Sequence, residues 1–245
     1  KKDNEFYFEV MNQFSDFLKD RTNVTFLKVP GAEADDCIAR WIQNHPDDQH
    51  IIFSGDHDFY QLLASNVKIY DGVKGWTVTI DAVLDENDNP AFSERTVTKK
   101  ENGRTVKSKI KIPIQPPVPE YELFKKIIRG DASDNIMSSY PGVRENGTAK
   151  KTGIKEAFED RHNKGFSWNA FMQTTWNKVV GMNDDKILTE EVKVLDEYRF
   201  NQKIIDLTMQ PDEIKKAIDD EIKNQINKEH IQGVGVYLMK FCHDM

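Results

Sequence analysis

The chain has 245 residues, 38% of them apolar and 31% charged, with a net charge of −7 at neutral pH. That length holds one large domain or a core with a helical extension, and no run approaches the roughly 18 apolar residues that a membrane-spanning helix needs. The opening residues lack the apolar segment of a secretory leader, and two cysteines, Cys37 and Cys242, are too few for a disulfide framework, so the sequence predicts a cytoplasmic protein with reduced, structural thiols.

Phe6, Tyr7, Val10, Phe14, Phe17 and Leu18 recur at helical spacing and predict an amphipathic helix over residues 5–19. The run 24–29 reads as a strand stopped by Pro30-Gly31, and a helix burying Cys37, Ile38 and Trp41 follows over 33–43. Residues 50–54 form a short apolar strand of the kind buried in a parallel sheet. A short helix over 58–64 and strands over 67–70 and 76–80 complete an alternating pattern, which argues for an α/β layer fold. Residues 95–114 read as a lysine-rich hairpin turning on Asn102-Gly103, either a solvated ribbon or a flap that contacts a nucleic-acid strand. A stiff proline-rich connector ends near Pro119. Beyond it the pattern is helical, over 120–129, 148–160, 167–180, 188–205 and 211–228. Trp168, Trp176, Phe166 and Phe171 are read as core residues, and no repeat or low-complexity tract is present. The fold expected is therefore α/β, an incomplete and mostly parallel sheet flanked by helices over residues 1–118, followed by a helical region over 119–245.

Charge is unevenly distributed. Between residues 29 and 60 seven acids face Arg40 alone, whereas residues 93–155 hold fourteen basic side chains against seven acidic ones. One stretch suits divalent cations and the other phosphates. Three acidic motifs stand out: Glu33-Ala34-Asp35-Asp36 at a helix start, Ser54-Gly55-Asp56-His57-Asp58 where an apolar strand ends, and Gly130-Asp131-Ala132-Ser133-Asp134-Asn135 after a helix. Taken singly, each has an ordinary explanation. Acids in a first helical turn favour the helix dipole, Asp56 and Asp58 can cap the next helix, and Asp131 and Asp134 can make a polar turn. Taken together, the motifs point to metal. Converging carboxylates repel unless cations neutralise them, and oxygen-only ligands favour Mg²⁺ or Mn²⁺ over Zn²⁺. Two such ions stabilise both the attacking and the leaving oxygen of a phosphodiester displacement, with no covalent nucleophile required.

In this order the three motifs resemble those of the structure-specific 5′-nucleases: flap endonucleases, the 5′-nuclease domains of bacterial DNA polymerases, and phage 5′-exonucleases. The overall pattern is most similar to the ribonuclease H branch of T-even-like bacteriophages, which removes RNA primers and cuts flaps. The resemblance implies a PIN-like nuclease core binding two Mg²⁺ or Mn²⁺ ions. Glu33, Asp35 and Asp56 would serve the first ion, with Asp36 nearby, and Asp58, Asp131 and Asp134 the second. Ser54 and Gln61 match the motif as supports, and His57 is a variable position. It further implies that residues 140–152 form a helix–three-turn–helix element. There Gly142, Arg144, Gly147, Thr148, Lys150 and Lys151 would grip duplex backbone through N–H groups, a helix N-terminus and positive charge. In the family this loop also carries a monovalent cation.

The implied partners are duplex DNA or RNA/DNA with a 5′ end or flap, and other replication proteins, with no membrane. Family members start with aspartate-bearing strands and a basic arch that have no counterpart before residue 1. The sequence is thus expected to be a shortened form, one half of a split gene completed by an N-terminal companion polypeptide, or a degenerate homologue. Its seven retained acids argue against decay. Two other readings stand beside the nuclease: a compact PIN-like ribonuclease, disfavoured by the basic segment after the last acidic pair, and a non-catalytic DNA-binding fragment or subunit that needs a second chain to complete an active site.

Overall fold

A computed structural model describes residues 2–101, 104–141, 153–183 and 186–244. In chain order the helices are α1 (Lys2–Arg21), α2 (Ala34–Asn44), α3 (Pro119–Arg129), α4 (Ile154–Glu159), α5 (Phe166–Met172), α6 (Val194–Ile205), α7 (Asp212–Ile226) and α8 (Val234–Asp244). The strands are β1 (His50–Phe53), β2 (Val67–Asp71), β3 (Trp76–Val78), β4 (Val83–Leu84), β5 (Phe92–Glu101), β6 (Arg104–Pro113), β7 (Thr175–Asn183) and β8 (Lys186–Lys193), with a 3-10 turn at His57–Leu62. The chain divides into two compact units, one of Lys1–Pro46 with Gln210–Met245, the other Asp47–Met209.

In the first unit, Val29, Cys37, Ile218 and Ile222 make a small core flanked by Leu27, Trp41 and Ile214. An Arg40–Asp219 pair closes it, with Nε donating to Oδ1 (2.7 Å) and Nη2 to Oδ2 (2.6 Å), while Asn44 donates to the same carboxylate. Those hydrogen bonds hold the Asp219 carboxyl below the usual carboxylate range. The helix expected over 5–19 forms, but its apolar face is only partly covered. Phe17 is buried and stacks on Phe241 at 4.5 Å, whereas Phe6, Tyr7 and Phe8 are exposed. The strand expected over 24–29 does not form. Those residues join no ladder, and Val29 earns its burial by packing against α7 instead. Cys37 is buried and Cys242 exposed, both as free thiols. Burial first, then the charges of Asp36 and Asp35, push the Cys37 thiol pKa up, which disfavours the reactive thiolate.

The second unit carries a four-stranded sheet in the order β1-β2-β3-β4. The expectation of a mostly parallel sheet is corrected here: only β1 and β2 run parallel, with His50 opposite Val67, and the β2–β3 and β3–β4 pairs are antiparallel. The connections explain this, because residues 72–75 and 79–82 are too short for anything but reversals. Ile52, Val67, Ile69, Val78 and Val83 form the buried face, whereas Ile51 and Phe53 on the edge strand β1 point outward and are exposed. The β5–β6 hairpin forms in the expected place as a separate two-stranded ribbon. The helices expected over 167–180 and 188–205 are shorter than predicted. Between α5 and α6 the chain makes the β7–β8 hairpin, with Thr175 opposite Lys193. The β-branched runs Thr174-Thr175, Val179-Val180 and Thr189 favour strand over helix there. Trp168, Trp176 and Phe171 join the core as expected, but Phe166 is exposed.

That core, with Phe124, Ile128, Ile154, Met172 and Val194, anchors α3 against α4, α5 and α6. A buried polar knot locks the far end of α3. Asn201 on α6, 2% exposed, donates to the carbonyls of Ile127 (3.0 Å) and Met137 (2.7 Å) and to Ser139 Oγ (3.0 Å). Ser139 in turn bonds back to α3, its hydroxyl to the Ile127 carbonyl and its N–H to the Ile128 carbonyl. Replacing Asn201 with Ala removes three hydrogen bonds from a buried site and is expected to cost about 1–3 kcal/mol, measured as a lowered urea midpoint; an unchanged midpoint would show that the knot contributes nothing.

A candidate metal centre at the end of α3

Two local structures deliver the acidic side chains of the second unit. The first is the exit from β1. Ser54 N–H continues the sheet by donating to the Tyr70 carbonyl, and Ser54 Oγ accepts from Asp56 N–H at 3.1 Å. Asp56 then caps the 3-10 turn, its Oδ1 accepting from Asp58 N–H at 2.9 Å. Asp56 thus orders the turn that carries Asp58, whose flank is fixed by buried Phe59. Gln61 ties this turn to the end of α6, donating to the Ile205 carbonyl and accepting from Leu207 N–H.

The second is the loop after α3. Gly130 has φ +67°, and a Cβ there would lie 2.4 Å from the Ile136 carbonyl oxygen, so only glycine fits. The chain then closes on itself, Asp131 N–H donating to the Ile136 carbonyl (3.0 Å) and Ile136 N–H to the Asp131 carbonyl (2.7 Å). Asn135 takes the left-handed conformation at φ 58°, one that asparagine tolerates better than most residues. The Gly-Asp-x-x-Asp-Asn spacing is therefore a tight loop that turns Asp131 and Asp134 outward together.

Asp58, Asp131 and Asp134 converge, each presenting a carboxylate oxygen such that all lie within 4.8 Å of one another. Among them sits a cation that sequence reasoning passed over. The Lys126 ammonium bonds to both Asp58 and Asp131, the latter at 3.0 Å. Burial opposes the charge on Lys126, yet the bonds from the two carboxylates outweigh it and hold its pKa above the ordinary lysine value. Asp131 is held well below the usual carboxylate range, mainly by the Ser133 hydroxyl, with help from Lys126 and the Ser133 N–H. His57, Gln61, Glu122, Lys125 and Arg129 line the same open cleft, about 270 Å³ in volume. A lysine in the last turn of a helix is unremarkable for dipole reasons, which is why Lys126 gave no signal. Its position one turn before Gly130-Asp131 was the available clue.

The other predicted residues belong to other segments of the chain. Glu33, Asp35 and Asp36 stand at the start of α2 in the first unit. Asp36 accepts from Glu33 N–H (3.1 Å) and Asp35 from Asp36 N–H (2.9 Å), so these acids serve the helix N-terminus. Gly142, Arg144, Gly147, Thr148, Lys150 and Lys151, and with them the helix–three-turn–helix element and its monovalent cation, fall outside the described residues. Asp71, which the sequence did not single out, ends β2 and is buried, its carboxylate bound by Lys74 Nζ and by the N–H groups of Val73 and Lys74. Those bonds commit it to shaping the loop.

An acidic cluster that closes around a cation, fed by an Asp-x-Asp turn at a strand end, is the arrangement on which the comparison with known families bears. Residues 7–100 match the family model of the 5′-3′ exonuclease, N-terminal resolvase-like domain. The likeness covers less than half of the chain. It spans the first two acidic motifs and stops before Asp131. No curated protein matches the chain significantly.

Two outcomes test the loop. Gly130→Ala is expected to destabilise the second unit by more than about 1 kcal/mol, seen as a lower thermal midpoint. Because folding depresses the Asp131 pKa, its contribution is fully present above the ordinary aspartate value of roughly 3.9 and drains away as pH falls below it. Asp131→Asn should therefore lose less stability than the wild-type protein on acidification below about pH 4; parallel stability–pH curves would contradict the assigned role.

Proposed function

We propose that this protein is a divalent-metal-dependent 5′-nuclease that hydrolyses phosphodiesters at 5′ ends, 5′ flaps or RNA primers on duplex DNA during replication. The observation that carries the reading is the convergence of Asp58, Asp131 and Asp134 on one cationic centre. The family match over residues 7–100 supports it independently. The donor set fits a hard cation: it is all carboxylate oxygen, it is open to water on the Asp134 side, and it already attracts the Lys126 ammonium. Asp58, Asp131 and Asp134 would hold one Mg²⁺ or Mn²⁺, and Asp56 would serve a second. Ions bound there supply charge neutralisation at the phosphate and a water of lowered pKa. The protein's own groups do the rest. Asp56 keeps the Asp58 turn in place, and Lys125 and Arg129 offer positive charge to a phosphate entering the cleft. Gly142, Arg144, Gly147, Thr148, Lys150 and Lys151 would grip the duplex backbone.

The test combines binding and cleavage. Mn²⁺ is expected to raise the thermal midpoint of the wild-type protein and to do so much less for Asp131→Asn or Asp134→Asn. A 5′-flap substrate with Mg²⁺ should be cut by the wild type and left intact by Asp58→Asn, which still binds duplex. Cleavage that persists at full rate in EDTA would remove the metal from the reading. Duplex binding with no cutting under any condition would make the chain a DNA-binding subunit instead.

A further inference from the structure

The β5–β6 ribbon carries seven basic residues against two acidic ones in a chain whose net charge is −7. It stands apart from the four-stranded sheet, and its ladder runs from Phe92 opposite Pro113 to Glu101 opposite Arg104. Since side chains alternate across a strand, the register sorts the ribbon into two unlike faces. One face holds the pairs Glu94–Lys111, Thr96–Lys109 and Thr98–Lys107, the other Ser93–Ile112, Arg95–Ile110 and Val97–Ser108. The first face is thus a file of three lysines backed by two threonines, every one of them exposed. Among the described residues Lys109 alone meets an acid, Glu94 at 2.8 Å, and that pair is 73% and 54% exposed, so solvent and salt compete with it readily. The buried contacts described for this segment lie at Ala91, where the ribbon joins the sheet.

We propose that the lysine face of the β5–β6 ribbon, Lys107, Lys109 and Lys111, is a docking surface for the phosphate backbone of a nucleic acid. The occupant follows from charge and spacing. Alternate strand residues place the three ammonium groups along roughly 13 Å of ribbon, a length over which one strand of a B-form duplex presents about four phosphates. The two threonine hydroxyls beside them are neutral donors suited to the same oxygens. The described face has no aromatic platform, and its one acid, Glu94, is taken up by Lys109, so it grips backbone without reading bases. The assignment rests on the nucleic-acid reading of the preceding section but not on catalysis, because binding is measurable with the cations removed.

The experiment is a salt titration of binding to a fluorescent 5′-flap duplex in EDTA. It compares the full chain with the triple variant Lys107→Gln, Lys109→Gln, Lys111→Gln, and with a control in which Lys28, Lys203 and Lys216 are changed to Gln. Each lost phosphate contact lowers the slope of log K against log[salt] by roughly 0.9, so the ribbon variant is expected to drop by about 2 to 3. The control should keep the wild-type slope. Circular dichroism and thermal midpoint should be unchanged in both, since the substituted residues are exposed. An unaltered slope in the ribbon variant overturns the proposal, as does an equal fall in the control, which would reduce the effect to net charge. Loss of binding to anionic phospholipid vesicles with duplex binding intact overturns it in favour of a membrane surface. A ribbon variant with a reduced slope in a chain that never cuts sustains the docking surface while removing the nuclease; a chain that cuts but shows no change in slope does the reverse.

Discussion

The second unit is organised around one electrostatic problem. Asp58 and Asp131 come from segments more than seventy residues apart, and folding brings their carboxylates to either side of the same ammonium. Two carboxylates this close repel unless a positive neighbour offsets them. Lys126 supplies it from the last turn of α3, and Asp134 adds a third carboxylate oxygen nearby. Lys126 offsets the two carboxylates it touches, and the third leaves the cluster itself with an excess of negative charge. On the reading proposed above, that excess would attract a divalent ion, and Lys126 would swing aside on its four-carbon stem.

Holding such a centre demands rigidity from uncharged neighbours. The Asp131 loop turns on Gly130, whose missing Cβ lets the chain pass the Ile136 carbonyl, and it closes through two reciprocal backbone hydrogen bonds. Behind it, Asn201 and Ser139 bind the carbonyls at the end of α3, so that the helix carrying Lys126 and the loop carrying Asp131 move as one body. On the other side, Asp56 spends its carboxylate on the Asp58 N–H, and Gln61 ties that turn to α6. Each acid that faces the cleft is thus backed by a residue that faces away from it.

Much of this was legible in the sequence, and for identifiable reasons. The Gly-Asp-x-x-Asp-Asn spacing encodes a loop that needs glycine and asparagine at specific backbone angles, a local constraint that leaves a local signature. The Asp-x-Asp after an apolar run is equally local, and so is the lysine-rich hairpin, whose pattern of period two needs no knowledge of its neighbours. What was not legible depends on partners distant in sequence. Residues 24–29 have strand composition, but with no ladder to join they lie as an irregular segment against α7. Residues 175–193 mix helical and strand periodicities, and pairing between β7 and β8 decides the matter. Lys126 was hidden because its type and position on a helix have a commonplace explanation.

Charge in this chain is divided by task. Asp58, Asp131 and Lys126 are partly buried, whereas Lys107, Lys109 and Lys111 of the β5–β6 ribbon are exposed. Screening acts on these two classes unequally, since exposed charges are attenuated within a Debye length of about 8 Å at physiological ionic strength and partly buried pairs much less. On the readings proposed above, rising salt would weaken the attraction of a polyanion to the ribbon well before it loosened a cation in the acidic cluster. A single concentrated patch of either sign would not separate the two. An acidic centre alone would repel phosphates, and a basic surface alone would hold them without chemistry. Positive charge on an exposed ribbon and negative charge in a supported cleft would let one polypeptide of net charge −7 do both.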